Sequence, residues 1–205
     1  MKNLVKLQKT NFSETVARAL QVLRAGGVIA YPTETLYGLG ALVSREDAVA
    51  RLRRLKGKRE PMLVLVSGLE MAKRYAEIDE RGEALAKFFW PGPLTLIFKS
   101  SSDMLSDVCG ESMGVGMRVS SDLFAKALVQ AVEEPVSSTS TNRTGRQPLK
   151  TGREIAREFG AEIALIVDAG PRQGQASTVV DLTGSSLKLI REGRIKLEEI
   201  ERVLK

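Results

Sequence analysis

The run Tyr31-Pro32-Thr33-Glu34-Thr35-Leu36-Tyr37-Gly38-Leu39-Gly40 directly follows the short apolar stretch Val28-Ile29-Ala30. A buried strand that ends in proline, two hydroxyls, a carboxylate and two glycines feeds polar groups into a loop at a fixed height, and loops of that kind carry ligands. The same residues also suit a plain turn with a helix N-cap, because Pro fixes φ and Thr hydroxyls accept from backbone N–H groups. Two distant segments of the same character decide for the ligand-bearing reading. Ser137-Ser138-Thr139-Ser140-Thr141-Asn142-Arg143-Thr144-Gly145 follows an apolar approach, and Ala176-Ser177-Thr178-Val179-Val180-Asp181 leads into Leu187-Lys188-Leu189-Ile190-Arg191-Glu192-Gly193.

The chain contains no histidine. That removes Ser-His and Cys-His nucleophile pairs, an imidazole base near neutrality and His-ligated zinc. The single cysteine, Cys109, sits between acidic neighbours that raise rather than lower a thiol pKa, so it reads as passive. What remains is rich in Arg, Lys, Ser and Thr, which suits chemistry carried by positioning and by neutralising phosphate charge. The balance of 31 Lys+Arg against 25 Asp+Glu, net +6, favours anionic ligands but is modest for a dedicated nucleic-acid binder. With no cysteine pair, no signal-like start and no apolar run near the ~18 residues of a membrane span, a cytoplasmic, membrane-free protein is expected.

At 205 residues and 43% apolar content the chain is expected to form one unit over 1–205 with a sizeable core. Helical spacing marks 12–25, capped by Ser13 and ended by Gly26-Gly27, and 46–55, with Val49, Leu52 and Leu55 inward and Arg51, Arg53 and Arg54 mostly solvated. Further helices are expected over 81–90, 122–132 and 151–159. Strands are expected over 62–67, 94–98, 114–119 and 164–167, with a hairpin formed by 177–182 and 187–190. Strands and helices do not alternate strictly, so a mixed, twisted α+β sheet is predicted rather than a parallel one.

The three segments, together with Leu55-Lys56-Gly57-Lys58-Arg59 and Gly114-Val115-Gly116-Met117-Arg118-Val119, resemble the YrdC-like family of threonylcarbamoyl-AMP synthases. The resemblance runs from about Ala25 to Glu192 with five blocks in the family's order. It implies a twisted mixed sheet flanked by helices around a large basic cavity. It also implies joining of L-threonine, bicarbonate or CO2, and ATP into threonylcarbamoyl-AMP with release of pyrophosphate. That adenylate serves N6-threonylcarbamoylation of adenosine 37 in tRNAs reading codons that begin with A. The resemblance is to the short, single-domain form, which relies on separate tRNA threonylcarbamoyl-transferase proteins. Mg2+ is expected with ATP, held mainly by the nucleotide and water, and no structural metal is expected.

Carried over by position, Thr33, Thr35, Arg118, Ser138 and Ser177 line the threonine pocket, with Arg118 forking its carboxylate. Lys56, Ser140, Asn142 and Arg191 face ATP, and Lys56 and Arg118 carry the chemistry. The family's Lys-x-Arg stands here as Lys56-Gly57-Lys58-Arg59, so either Lys58 or Arg59 fills the arginine position. The family's Asn before Pro61 is Glu60. The alternative is a tRNA or double-stranded-RNA maturation factor that makes no adenylate. Only 5% aromatic residues and no long Lys/Arg run leave such RNA contact weak and salt-sensitive.

Overall fold

Apolar stretches broken by Gly, Pro and Asp become eleven strands and seven α-helices among the described residues, 3–57, 60–110 and 113–205, of the computed structural model. In chain order they are β1 (Leu4–Lys6), α1 (Phe12–Arg24), β2 (Ile29–Pro32), β3 (Tyr37–Gly40), α2 (Glu46–Lys56), β4 (Leu63–Leu65), α3 (Leu69–Lys73), β5 (Ala76–Glu77), α4 (Glu80–Phe89), β6 (Leu94–Ser100), β7 (Gly114–Arg118), α5 (Leu123–Val132), β8 (Val136–Ser140), α6 (Gly152–Phe159), β9 (Leu165–Asp168), β10 (Thr178–Asp181), β11 (Lys188–Arg191) and α7 (Leu197–Val203). No helix among them is long and apolar enough to cross a membrane.

The strands run β1-β9-β2-β3-β8-β4-β7-β6-β10-β11 across one sheet, with β5 appended to β6. Pairings β1/β9, β2/β9, β4/β7 and β6/β10 are parallel, and the others, including β2/β3, β3/β8, β4/β8 and β6/β7, are antiparallel. The mixed sheet is the one predicted. β8 lies between β3 and β4, so hydroxyl-bearing residues late in the chain stand beside the early motif. Helices cover the sheet with apolar stripes, for example Ala19 and Leu23 of α1, Leu52 and Leu55 of α2, and Phe124 and Leu128 of α5, all buried.

Helix ends follow local chemistry. Asp122 accepts from the N–H groups of Phe124 and Ala125 to start α5, and Thr151 and Glu154 form a reciprocal capping box on α6. Helix α2 opens with Glu46 and Asp47 and stops where Gly57 turns left-handed at φ 79°. Ser13 does not cap α1. The helix starts at Phe12 after Asn11, whose carbonyl accepts from the Thr15 hydroxyl at 2.7 Å.

Strand pairing continues further through the first motif than expected. Tyr31 and Pro32 belong to β2 and Tyr37 to Gly40 form β3, which leaves only residues 33–36 as the turn. Proline is accepted because it closes β2, opposite Tyr37. Short edge elements went unread: β1, β5, α3 and the exposed-faced α7 are too brief for their periodicity to register.

Candidate active site

The register of the central strands collects the polar segments at one place. Gly38 pairs with Ser140 and Leu63 with Ser138, which sets the start of β3, the end of β8 and the start of β4 side by side, while Arg118 stands opposite Leu65 at the far end of β4. The packing explains the Tyr-Gly of the motif. A Cβ on Gly38 would lie 2.8 Å from Ser138 Oγ, closer than real contacts allow.

The turn between β2 and β3 is wired internally. Thr33 Oγ1 donates to the Leu36 carbonyl at 2.5 Å, accepts from the N–H groups of Thr35 and Leu36, and lies 3.0 Å from Thr35 Oγ1. Arg172 adds a clamp from outside: its guanidinium donates to the carbonyls of Thr33 and Ala169 and pairs with Asp122 at 3.1 Å. Gly174 N–H donates to the Thr35 carbonyl at 3.1 Å, so the 169–176 segment runs over the turn.

Arg118, 4% exposed at the end of β7, reaches this turn. Its Nη1 donates to Thr35 Oγ1 at 3.3 Å and stands 3.6 Å from Glu34 Oε1, beyond hydrogen-bond range. Glu34 Oε2 is held by the Ser120 hydroxyl. Glu34 Oε1 and Arg118 Nε are both buried without a hydrogen-bond partner among the described residues. Nη2 of Arg118 likewise makes no hydrogen bond to a described residue, and Arg118 lines the cavity.

Lys56 ends α2 and is only 8% exposed. Its ammonium donates to the Ser140 carbonyl at 2.8 Å and the Asn142 carbonyl at 2.7 Å, with Ser140 Oγ and Asn142 Oδ1 at 3.3 and 3.2 Å. Burial pulls its pKa down to about 8, with Glu60 opposing that shift. Asn142 Nδ2 donates to the carbonyls of Arg143 and Arg146, closing the turn in which Gly145 takes φ 81°. Both halves of the Asn142 amide are therefore engaged inside the protein.

On the opposite wall Arg191, the last residue of β11, donates from Nε and Nη2 to the Ser177 carbonyl at 3.2 and 3.0 Å, and from Nη2 to Ser177 Oγ at 3.3 Å. Ser177 Oγ also meets Thr95 Oγ1 at 3.0 Å. Desolvation first, and then the positive charge of Arg118, hold the Arg191 guanidinium below its ordinary pKa. Buried Thr178 secures the wall: its Oγ1 accepts from Gly193 and Ile195 N–H and donates to the Ile195 carbonyl.

These walls enclose a cavity of about 380 Å³, within the range of small-ligand sites. Thr33, Thr35, Lys56, Arg118, Ser138, Ser140, Asn142, Ser177 and Arg191, all singled out from the sequence, line it together. Among the described residues its lining carries three cationic side chains, Lys56, Arg118 and Arg191, against one carboxylate, Glu60. Lys58 and Arg59 lie outside the described residues. The sequence reading missed Glu34 as the counter-ion of Arg118, although it stands inside the first motif, and it missed Ser120, Thr95 and Arg172. Arg53 is not a solvated cation: it is half-buried and donates to the Asp107 carbonyl, with Nε buried and unpartnered. Cys109 is half-buried, and that burial raises its thiol pKa.

The Sua5/YciO/YrdC family model, described as telomere recombination, matches residues 21–193. A threonylcarbamoyl-AMP synthase of Pyrococcus abyssi is 38% identical over 186 residues, 89% of this chain and 55% of that protein. The synthase of that name from Bacillus subtilis is 34% identical over 92% of this chain and 56% of its own length. The crystal structure of P. abyssi Sua5 complexed with L-threonine superposes with a TM-score of 0.90 at 34% identity, covering 98% of this chain and 60% of the solved one. The chain thus spans a little over half the length of the curated relatives it matches.

Proposed function

Because the chain belongs to the Sua5/YciO/YrdC family, we propose that it is an L-threonylcarbamoyladenylate synthase. It joins L-threonine, bicarbonate or CO2, and ATP to threonylcarbamoyl-AMP and pyrophosphate. One observation carries the reading: Arg118 keeps a guanidinium nitrogen free of described partners in the same cavity as the buried ammonium of Lys56. An amino-acid carboxylate and a nucleotide phosphate thus find separate cations within one cavity.

The chemistry suits a site without histidine. The free amine of threonine adds to CO2 and releases one proton to solvent, giving a carbamate anion whose oxygen is already nucleophilic. That oxygen attacks the α-phosphorus, and pyrophosphate leaves with the electron pair of the broken bond. Alignment and charge neutralisation dominate such a step. Arg118 and Thr35 hold threonine, with Thr33, Ser138 and Ser177 shaping its pocket. Lys56, Ser140 and Arg191 face the nucleotide, and Asn142 keeps Lys56 and Ser140 in place. By sequence, Lys58 or Arg59 fills the family's arginine position. Mg2+ bound to ATP would share the phosphate charge, held mainly by the nucleotide and water; Glu60 is the one lining carboxylate among the described residues.

We take residues 1–205 as one YrdC-like unit whose product feeds threonylcarbamoylation of adenosine 37 in tRNAs reading codons that begin with A, through separate transferase proteins. Incubation with ATP, Mg2+, bicarbonate and threonine tests the proposal. Pyrophosphate release should require threonine and bicarbonate together, and an adenylate of the matching mass should accumulate. ATP turnover indifferent to threonine would overturn it.

A further inference from the structure

Arg172 lies outside the cavity lining, in the stretch between β9 and β10, and its guanidinium is divided among three separate parts of the fold. Nε donates to the Thr33 carbonyl at 3.1 Å, Nη1 to the Ala169 carbonyl at 3.2 Å, and Nη2 to Asp122 Oδ2 at 3.1 Å. The Asp122 side chain is 12% exposed and its other oxygen caps α5, so this acceptor is itself fixed. Two residues further on, Gly174 N–H donates to the Thr35 carbonyl, in packing so close that a Cβ on Gly174 would lie 2.6 Å from that oxygen. The main chain of Arg172 is tied as well, to the Lys150 carbonyl at 2.8 Å.

Two carbonyls of the turn that presents Thr35 are therefore held by one strap, 172–174, anchored on α5. The bonds that Thr33 makes within the turn set its shape, but its place beside Arg118 is set from outside. We infer that Arg172 is a positioning residue for the amino-acid end of the cavity: paired with Asp122, it holds the 33–36 turn where Thr35 Oγ1 and the edge of Arg118 without a described partner face one ligand together. An unstrapped turn samples other placements, and a ligand that needs both groups binds only the fraction in place. The nucleotide side does not depend on the strap. Thr178 secures the Ser177–Arg191 wall through Gly193 and Ile195, and Lys56 is held by Ser140 and Asn142. That the ligand is threonine rests on the function proposed above; the hold of the strap on the turn does not.

The test pairs threonine kinetics with hydrogen exchange. Arg172→Gln keeps a polar side chain but loses the charge and the three-way reach of the guanidinium. It should raise the threonine KM about tenfold, while kcat at saturating threonine and the KM for ATP stay within about threefold. A turn in place about one-tenth of the time weakens apparent affinity about tenfold, and saturating ligand restores it. The amides of Thr35 and Leu36, which donate to Thr33 Oγ1, should exchange faster in ligand-free Arg172→Gln. Arg172→Lys keeps a cation for Asp122 and should recover part of the threonine affinity. Asp122→Asn retains an oxygen to cap α5 yet removes the ion pair, so it should show the same selective rise and carries the test if Arg172→Gln does not fold. The two changes together should raise the threonine KM no more than about twofold beyond the larger single effect, because both act through one contact. A threonine KM within about twofold of wild type in the folded variants, equal losses for threonine and ATP, or unchanged exchange at Thr35 and Leu36 overturns the assignment. A wild-type protein that makes no pyrophosphate with threonine and bicarbonate sinks the synthase reading, while the exchange measurement still reads the strap.

Discussion

The Lys56 ammonium stands 2.7 Å from the main-chain oxygen of Asn142 and 3.2 Å from its side-chain oxygen. A cation at the end of one helix thus shapes the loop after a strand 84 residues later, where Ser140 begins the turn. Any nucleotide phosphate that reaches Lys56 shares it with this loop.

Lys56 therefore gives a pH signature. Its pKa of about 8 means that the cation is lost as pH rises through that value. The kcat/KM for ATP should fall above pH ~8, because a neutral amine lends less to phosphate. Stability moves the other way. The unfolded lysine keeps its proton to about 10.5, so between those values the unfolded state binds more protons and the Lys56 contribution to stability rises with pH. In Lys56→Arg both trends should vanish. Paired pH profiles of activity and melting check this, and a wild-type kcat/KM flat to pH 9.5 would show that Lys56 does not act on the nucleotide.

Replacing Arg118 with lysine keeps a charge but loses the planar group that spans Thr35 and the free edge. The threonine requirement should rise roughly 10- to 100-fold, corresponding to ~1.5–3 kcal/mol, while ATP affinity stays within about threefold. Separate titrations of the two ligands read it out. Equal losses for both would mean the two ends of the cavity are not independent.

Asn142→Ala should weaken ATP binding indirectly. The amide donates to the Arg143 and Arg146 carbonyls and accepts from Lys56, so its removal loosens the 142–146 turn and releases the ammonium. Hydrogen exchange of amides from 143 to 149 should speed up in the variant even without nucleotide. Weaker ATP binding with unchanged exchange would assign Asn142 to direct nucleotide contact instead.

Gly193→Ala tests the wall that carries Arg191. A Cβ there would meet the Ala176 carbonyl oxygen at 2.1 Å and Ser177 main-chain atoms at 2.6–2.7 Å, all backbone that cannot step aside cheaply. The clash should cost about 1–3 kcal/mol of stability and shift Ser177 and Arg191 together. Urea unfolding and ligand titration on one sample should show both losses; a variant that melts normally and binds normally would mean the turn relaxes freely.

Much of the site was readable because it is written in short polar segments that interrupt apolar strands. Ser140, Ser177 and Arg191 stand at or beside a strand end and Thr35 in the turn between β2 and β3, where side-chain chemistry is not consumed by packing. Partnerships across the sheet were not readable. The Glu34–Arg118 pair spans 84 positions and depends on β3, β8, β4 and β7 lying in that order, which local spacing does not encode. Arg53 was misjudged for a similar reason: its helical position suggests solvent, but the carbonyl of Asp107 comes from a separate loop. The Ser13 cap failed because the 3₁₀ turn over Lys9–Asn11 puts the N-cap at Asn11, two residues earlier.

Strand β11 closes one end of the strand order and is largely exposed, pairing only with β10 through a ladder that shifts register between Val179 and Val180. A margin of that kind breathes at a small fraction of the free energy needed to unfold the whole chain. The amides of residues 188–191 are therefore expected to exchange faster than those of β3, β8 and β4, which makes the wall that bears Arg191 the softest border of the cavity.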